Sequence, residues 1–133
     1  MSEGSGRPPA LVIGHREFAA GIVSAVTAIT GREDLFRTAS NDGLDTHGME
    51  ALLREAIADG VTMIFSDLPA GSTTMAARRA QRDHPTVTVV TGVSLPLLLD
   101  YAFAAPDAVH AADAAVEKGR AAMTVARGPR SAD

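Results

Sequence analysis

Short apolar runs alternate with helical patterns along most of this 133-residue chain. Strands that alternate with helices imply right-handed crossovers and a mostly parallel sheet. Four runs have the length and composition of strands, and the third is apolar on both faces, as is typical of a central strand. The four predicted strands are Ala10–Ile13, Leu35–Ala39, Val61–Phe65 and Thr86–Thr91. The pattern therefore predicts an α/β fold: a single doubly wound sheet with helices on both faces.

The segments between these runs predict the helices and the strand order. Apolar residues recur at helical spacing after the first strand, at Phe18, Ile22, Val26 and Ile29. Four more helices are expected. The first is capped by Asp45 or Thr46 and the second by Ser72 or Thr73, the third begins at Leu97, and the last begins at Pro106 with Val109, Ala112 and Val116 inward. Four strands joined in this way favour the order 2-1-3-4, which makes the first and third strands neighbours.

One domain, residues 10–127, accounts for nearly all of the chain. Residues 1–9 are predicted to be a flexible leader, and residues 128–133 a disordered tail. The leader carries no apolar stretch of the kind found in signal peptides. No run approaches the roughly 20 apolar residues that cross a bilayer, so we expect a cytoplasmic protein without direct membrane insertion.

Composition excludes several classes of function. The net charge of −4 argues against a nucleic-acid partner, because such binding uses clustered Lys and Arg. With no Trp and one Tyr, the chain offers few aromatic side chains on which nucleic-acid bases could stack. The chain has no Cys, which removes disulfides, thiolate metal sites and a Cys nucleophile. No cofactor and no metal site are predicted.

Two predicted strands end in residues that can perform chemistry. His15 follows the first strand after Gly14, and Asp67 follows the third after Ser66. We expect them to meet at the carboxyl edge of the sheet, at the topological switch point, where open α/β sheets place their sites. A carboxylate bonded to one imidazole nitrogen fixes the tautomer and leaves the other nitrogen with a free lone pair. The catalytic candidates are therefore His15 as a phosphoryl-accepting nucleophile and Asp67 as its orienting group.

Phosphate-binding features follow the same two strands. Helix N-termini bind phosphate, and helices are predicted to start near Arg16 and near Ser72. Gly71 allows close approach of the backbone, and Ser72 and Thr73 supply hydroxyl donors. Arg16, Gly71, Ser72 and Thr73 are the predicted phosphate-binding residues.

Structural interpretations stand beside this one. From spacing alone, His15 as a polar strand end and Asp67 as a helix cap explain the pattern equally well, because a lone His and a lone Asp form a weak motif. A Ser72–His15–Asp67 hydrolase would need a G-x-S-x-G turn around Ser72, which the sequence lacks. A metal site would need a third ligand, and none lies near in sequence.

The remaining polar residues are predicted to lie on the surface. Three histidines have no acid at a suggestive spacing: His47, His84 and His110. The run Arg78, Arg79 and Arg82 is predicted to be a solvated helix face, with docking of an acidic partner protein as the alternative. The apolar stretch Leu95–Phe103 is predicted to be core or dimer interface.

Four segments in order resemble the IIA component of the mannose-class sugar phosphotransferase system, close to its galactosamine-type members. The resemblance spans about Leu11 to Met123. It is carried by Ile13–Gly14–His15, by Asp67 with Gly71–Ser72 and Met75–Ala76–Ala77, by Thr91–Leu98, which is similar to G-V-N-[IL]-P-M-L, and by Ala115–Arg120, which resembles A-V-E-x-G-R.

The resemblance implies a phosphotransferase that works through a phosphohistidine. The histidine matching His15 would accept a phosphoryl group from the phosphocarrier protein HPr and pass it to a IIB component. During sugar uptake the protein would act on the membrane IIC and IID subunits only indirectly, through the IIB component. The resemblance also implies a homodimer in which a short C-terminal edge strand is exchanged, and Ala122–Ala126 is the candidate strand.

Two segments depart from the family pattern. Arg16 stands where Gly often follows the histidine, and Ala70–Gly71–Ser72–Thr73 stands where Gly-Gly-Ser-Pro is usual. Arg16 would add positive charge near a phosphate or alter the choice of partner. These departures leave open a non-catalytic regulatory module of the same fold. The phosphotransfer subunit of dihydroxyacetone kinase is a further alternative, against which Gly92–Leu98 argues.

Overall fold

The computed structural model describes residues 9–130. The predicted leader, apart from residue 9, and the last three residues of the predicted tail lie outside the described residues. Within that range strands and helices alternate, as predicted. The strands are β1 (Ala10–Gly14), β2 (Phe36–Ser40), β3 (Met63–Ser66) and β4 (Thr88–Val90). The helices are α1 (Phe18–Thr30), α2 (Thr46–Ala58), α3 (Ser72–Gln81), α4 (Leu95–Phe103) and α5 (Ala111–Ala121).

All four strands are parallel and lie in the order β2-β1-β3-β4, which confirms the predicted topology. The central strand β1 pairs with both β2 and β3 and is buried along its whole length. Its side chains alternate between the two faces of the sheet, as the period of two requires. The first and third strands are therefore neighbours, as the site prediction required.

Helices cover both faces of the sheet, as predicted. On one face Val12 and Phe65 pack in a core with residues of α1, α4 and α5. On the other, Leu11 and Ile64 pack with residues of α2 and α3. Burying each of these side chains contributes about 1.5–3 kcal/mol, so the alternation holds the sheet in a single register.

Several predicted boundaries were wrong. β3 begins two residues later than expected because the N–H of Val61 bonds to the Ala56 carbonyl and completes the end of α2. Helix α4 begins at Leu95, since Ser94 caps it and proline is tolerated in a first helical turn. Helix α5 begins at Ala111 and not at Pro106, after a stretch of turns.

Side-chain placement also corrects two details. Ile29 is 56% exposed and Val109 is 88% exposed, so neither belongs to an inward face. Ala112 and Val116 are partly buried against the core, as expected. The segment Ala122–Ala126 follows α5 as exposed chain that forms no strand within residues 9–130.

Candidate active site at the carboxyl edge of the sheet

The register of the sheet brings His15 and Asp67 together. Ile13 pairs with Ser66 in the parallel ladder, so strands β1 and β3 end at the same level of the sheet. The ring nitrogen Nδ1 of His15 lies 2.8 Å from Oδ2 of Asp67. The same carboxylate oxygen accepts the backbone N–H of His15, also at 2.8 Å. Two bonds to one carboxylate thus fix both the backbone and the ring of His15.

This pairing sets the tautomer of the neutral imidazole. An ionised carboxylate only accepts hydrogen bonds, so the proton of the neutral ring lies on Nδ1. The other ring nitrogen, Nε2, then carries a free lone pair. The His15 side chain is 41% exposed, whereas that of Asp67 is 9% exposed. The shielded Asp67 carboxylate thus holds a partly exposed imidazole, whose free nitrogen Nε2 can act as a nucleophile.

Asp67 stays ionised although it is largely buried. Burial raises the pKa of its carboxyl group, but hydrogen bonds from the His15 backbone, the His15 ring and the Thr73 hydroxyl outweigh burial. The net effect holds the pKa of Asp67 below its ordinary value of 3.8. A carboxylate that accepts several donors favours its charged form. Asp67 is therefore a fixed negative charge at neutral pH.

A chain of buried hydroxyls supports the carboxylate. Thr73 donates to Oδ1 of Asp67 at 3.1 Å and lies 3.0 Å from the Ser66 hydroxyl. Thr74 donates to the Leu68 carbonyl, and its hydroxyl oxygen lies 2.7 Å from that of Ser66. Ser66 and Thr73 are fully buried, and no buried side-chain polar atom lacks a partner among the residues described. The network fixes where the charge of Asp67 sits.

Asn41 holds the loop after β1 from both sides of His15. Its backbone N–H donates to the Gly14 carbonyl at 3.1 Å, and its side-chain oxygen accepts the N–H of Arg16 at 2.9 Å. Arg16 adopts a left-handed backbone with φ of 52°. Asn41 is not among the predicted site residues. The predicted strand order was the available signal, because it places the end of β2 beside the end of β1.

Gly14 is required by close packing at the site. A Cβ atom on Gly14 would lie 2.7 Å from Cδ2 of Phe18 and 3.0 Å from Oδ2 of Asp67. Contacts that short force a neighbouring group to move. The last residue of β1 therefore leaves no room for a side chain between the helix α1 and the carboxylate.

The N-terminus of α3 lies beside the imidazole ring. Gly71 is its N-cap with φ of 117°, and a Cβ there would sit 4.0 Å from Cε1 of His15. The first intrahelical bond of α3 runs from the Met75 N–H to the Gly71 carbonyl. The backbone N–H groups of Ser72, Thr73 and Thr74 precede it and have no intrahelical acceptor. Such groups form an anion-binding end of a helix.

The predicted cap of α3 was wrong in detail. Neither Ser72 nor Thr73 caps the helix: Gly71 occupies the N-cap and no side chain bonds there. Ser72 is the first helical residue, and the Thr73 hydroxyl is directed to Asp67 because that carboxylate is the stronger acceptor. The N–H groups of α3 are thereby left open.

The six predicted site residues do not all converge. His15, Asp67 and Thr73 are joined by hydrogen bonds, and Gly71 lies beside the ring. Arg16 is exposed on the flank, with its backbone N–H committed to Asn41. The expected second helix N-terminus at the site begins later, at Phe18, whose N–H bonds to the His15 carbonyl.

The other three histidines take no part in the hydrogen bonds of this cluster. His47 and His110 are exposed and His84 is half-buried. Within residues 9–130, no group of three or more His, Cys, Asp or Glu side chains could hold a metal ion. Over the same range, every helix is too short or too polar to cross a bilayer.

Fold and site together define a class: a parallel α/β domain that presents a carboxylate-held histidine at the carboxyl edge of its sheet, beside a helix N-terminus. Residues 10–119 match the family of PTS system fructose IIA components, of the EIIA-man type. This match covers most of the chain, and the chain belongs to that family. It is a component of a sugar phosphotransferase system, as the sequence resemblance implied. No curated protein matches it.

Solved structures share the fold at low sequence identity. The mannose/sorbose-specific IIA subunit from Enterococcus faecalis is 20% identical with a TM-score of 0.79, over 93% of this chain and 98% of that one. A phosphoenolpyruvate-dependent sugar phosphotransferase permease protein from Klebsiella pneumoniae is 17% identical with a TM-score of 0.79, over 94% and 96%. A IIA protein associated with the fucose utilization operon of Streptococcus pneumoniae is 19% identical with a TM-score of 0.74, over 91% and 96%.

Proposed function

We propose that this chain is a phosphoryl carrier that accepts phosphate from phosphorylated HPr on Nε2 of His15 and passes it to a IIB component. The observation that carries the proposal is the 2.8 Å bond between Nδ1 of His15 and Asp67, which leaves Nε2 unprotonated. Membership of the phosphotransferase-system IIA family supports the same conclusion.

The chemical step is a displacement at phosphorus. The lone pair of Nε2 attacks, the bond from phosphorus to the donor atom of HPr breaks, and that electron pair leaves with the donor. The proton on Nδ1 stays in place, so the phosphorylated ring of His15 is cationic and the Asp67 carboxylate stabilises it. Onward transfer to IIB is the same displacement with the phosphohistidine as donor. Such transfer requires mainly positioning and electrostatic stabilisation.

The start of α3 provides the phosphoryl oxygens with donors. The free N–H groups of Ser72 and Thr73 sit at the positive end of the helix dipole. Gly71 allows the phosphate to approach the backbone beside the ring. Arg16, on the flank of the site, adds positive charge near the phosphate or its donor. These four residues complete the proposed phosphate-binding set.

Intact mass measurement tests the proposal. We expect one acid-labile phosphoryl group on the wild type after incubation with phosphoenolpyruvate, enzyme I and HPr, and none on His15→Ala. His47→Ala is the matched control, because His47 is exposed and is not among the hydrogen-bond partners of Asp67. Full phosphorylation of His15→Ala would overturn the assignment of the nucleophile.

Onward transfer separates this function from its alternatives. Purified phosphorylated protein should lose its phosphate within seconds to minutes on addition of IIB. Transfer to the nucleotide-binding subunit of dihydroxyacetone kinase but not to IIB would identify the other phosphotransfer system. Retention of phosphate with both acceptors would identify a regulatory module.

The proposal extends to assembly and location. Met123 and Val125 are 75% and 76% exposed and alternate with Thr124, as on one face of a strand. Strand β4 is at the edge of the sheet. We expect Ala122–Ala126 to pair with β4 of a second copy, and the dimer to act in the cytoplasm, reaching IIC and IID through IIB. Light scattering should show monomer for Met123→Asp with Val125→Asp, and dimer for Thr124→Asp.

A further inference from the structure

The backbone of Arg16 is strained, directly after the proposed nucleophile. Arg16 has a φ of 52°, and among residues 9–130 it is the only residue other than glycine with a positive φ. Glycine adopts such angles readily, whereas a side chain makes them costly. Residues in costly conformations persist only where the surrounding structure holds them, and they cluster at functional sites. Some contact must therefore hold the backbone at Arg16.

The Arg16 side chain does not supply that contact. The side chain is exposed, and within the described part of the chain it forms no hydrogen bond or ion pair. The next residue, Glu17, has an ordinary φ of −99°. The turn closes with a bond from the Phe18 N–H to the His15 carbonyl at 3.0 Å. That bond spans the turn but does not involve the N–H of Arg16.

Asn41 holds the N–H of Arg16. The side-chain oxygen Oδ1 of Asn41 accepts this N–H at 2.9 Å, and the backbone N–H of Asn41 donates to the Gly14 carbonyl at 3.1 Å. The Asn41 carbonyl accepts the N–H of Leu44 at 3.1 Å, and Asn41 directly follows the last paired residue of β2. Asn41 is thus anchored to the sheet and fixes the backbone both before and after His15.

The same backbone sets where the reactive nitrogen of His15 lies. The ring is tethered to Asp67 through Nδ1, and a Cβ on Gly71 would lie 4.0 Å from its Cε1. Nε2 is bonded to Cε1, so it lies near the N-terminus of α3. Without the Asn41 oxygen, Arg16 can relieve its strain by rotating the peptide that joins it to His15, which shifts the ring relative to α3. A misplacement of about 1 Å can cost on the order of 100-fold in rate.

We propose that Asn41 is a positioning residue for phosphoryl transfer: its amide oxygen holds the peptide between His15 and Arg16 and so sets where Nε2 meets the phosphoryl group. This inference rests on the proposed function and adds a residue from the end of β2, which that function did not use. Asn41 acts through the backbone of the loop that carries His15. It contacts neither the phosphate nor the partner protein, and it is needed because residue 16 carries a side chain.

Two replacements of similar size to Asn41 test this role. Asn41→Leu removes the hydrogen-bond acceptor, whereas Asn41→Asp keeps it and replaces the amide nitrogen by oxygen. The control Ser40→Ala removes a bond of the same kind in the same turn, from the Asp42 N–H to the Ser40 hydroxyl at 3.1 Å, which does not involve the loop of His15. The donors are phosphorylated HPr and phosphoramidate, a small molecule that needs no docking surface. All rates are measured in about 0.5 M salt, which screens the charge that Asn41→Asp adds.

The presence of the acceptor should determine the rate. Asn41→Leu should lower the maximal rate about fivefold to tenfold with both donors, which lies in the range expected for one lost hydrogen bond, and change KM for HPr less than about twofold. Asn41→Asp and Ser40→Ala should stay within about twofold of the wild type. In an Arg16→Gly background, Asn41→Leu should lower the rate less than about twofold, because glycine adopts the positive φ without a side-chain clash. Asn41→Ala should behave as Asn41→Leu and replaces it if that variant fails to fold.

Each other outcome has a defined meaning. Unchanged rates for Asn41→Leu, an equal loss for Ser40→Ala, or an undiminished loss in the Arg16→Gly background would overturn the positioning role while leaving His15 phosphorylation intact. A loss confined to HPr, with a raised KM, would make Asn41 a docking contact and would also overturn it. An equal loss for Asn41→Asp would do the same, because it would assign the effect to the amide nitrogen. Absence of phosphate on the wild type would instead reject the proposed function itself, and with it this role of Asn41.

Discussion

The loops after β1 and β3 leave the same edge of the sheet but hold their side chains in opposite ways. After β1, the backbone is clamped by Asn41 while the His15 ring is 41% exposed. After β3, the Asp67 side chain is 9% exposed and tied to a buried hydroxyl chain. In the proposed function His15 exchanges phosphate with other proteins, so its ring must be accessible to them. The charge that orients it must not move, and burial among donors achieves that.

The largest expected effect comes from neutralising the fixed charge. Asp67→Asn should slow phosphorylation by phosphorylated HPr on the order of 10²–10⁴-fold, because the amide no longer selects the Nδ1-protonated tautomer or stabilises the cationic ring. Initial rates of phosphate incorporation measure this. Asp59→Asn, which changes an exposed carboxylate paired with Arg37, is the control and should transfer at the wild-type rate. A rate for Asp67→Asn within about twofold of wild type would remove the distinction between the two loops.

A second comparison uses two glycines near α1. Gly14→Ala should lower the free energy of unfolding by about 1–3 kcal/mol, because the new methyl group overlaps Phe18 and the Asp67 carboxylate. Gly21→Ala adds a methyl group inside α1 with nothing within 4 Å. It should stabilise the protein by roughly 0.5–1 kcal/mol, since alanine favours the helix. Urea denaturation measures both; equal effects would show that the site is not tightly packed.

The pH dependence of stability sharpens the account of the β3 loop. The pKa of Asp67 is lowered in the folded state, so ionised Asp67 stabilises the fold above its unfolded pKa near 3.8. That contribution is lost as pH falls through the lower folded-state value. The difference in unfolding free energy between wild type and Asp67→Asn should be constant from pH 5 to 7 and shrink below about pH 4. A difference that grows on acidification would contradict the lowered pKa.

The smallest expected effect lies in the β1 loop. Arg16 has a φ of 52°, a conformation that glycine adopts without the steric cost of a side chain. Arg16→Gly should raise the unfolding free energy by no more than about 1 kcal/mol, because relief of strain is partly offset by unfolded-state entropy. Glu17→Gly, at an ordinary φ of −99°, should only destabilise. A larger loss for Arg16→Gly than for Glu17→Gly would mean that the Arg16 side chain stabilises the loop.

The strand order and the contact between His15 and Asp67 could be predicted, because both depend on the spacing of apolar residues and on the order of the strands along the chain. Buried apolar runs identify parallel strands, and their carboxyl ends must share an edge. The same reasoning could have placed Asn41 at the site, since Asn41 follows β2. The bonds that join Ser66, Thr73 and Thr74 were not, because they depend on which rotamers the packed interior allows.

The chain after α4 shows where periodicity fails. Val109 and the residues around it are rich in alanine, which gives a weak apolar pattern and favours helix at nearly every position. Pro106 is a common first helical residue and drew the predicted start of α5 five residues too early. Turns between Pro106 and His110 occupy the stretch before the actual start of α5.

The linkage of phosphate to the ring tests the central claim most directly. Protein labelled with ¹⁵N in its histidine rings would be phosphorylated by HPr and observed by NMR with phosphorus coupling. The bond from Nδ1 to Asp67 predicts phosphate on Nε2 of His15, with Nδ1 still protonated. Phosphate on Nδ1, or on a histidine other than His15, would contradict the account, because Nδ1 could not then be held by the carboxylate.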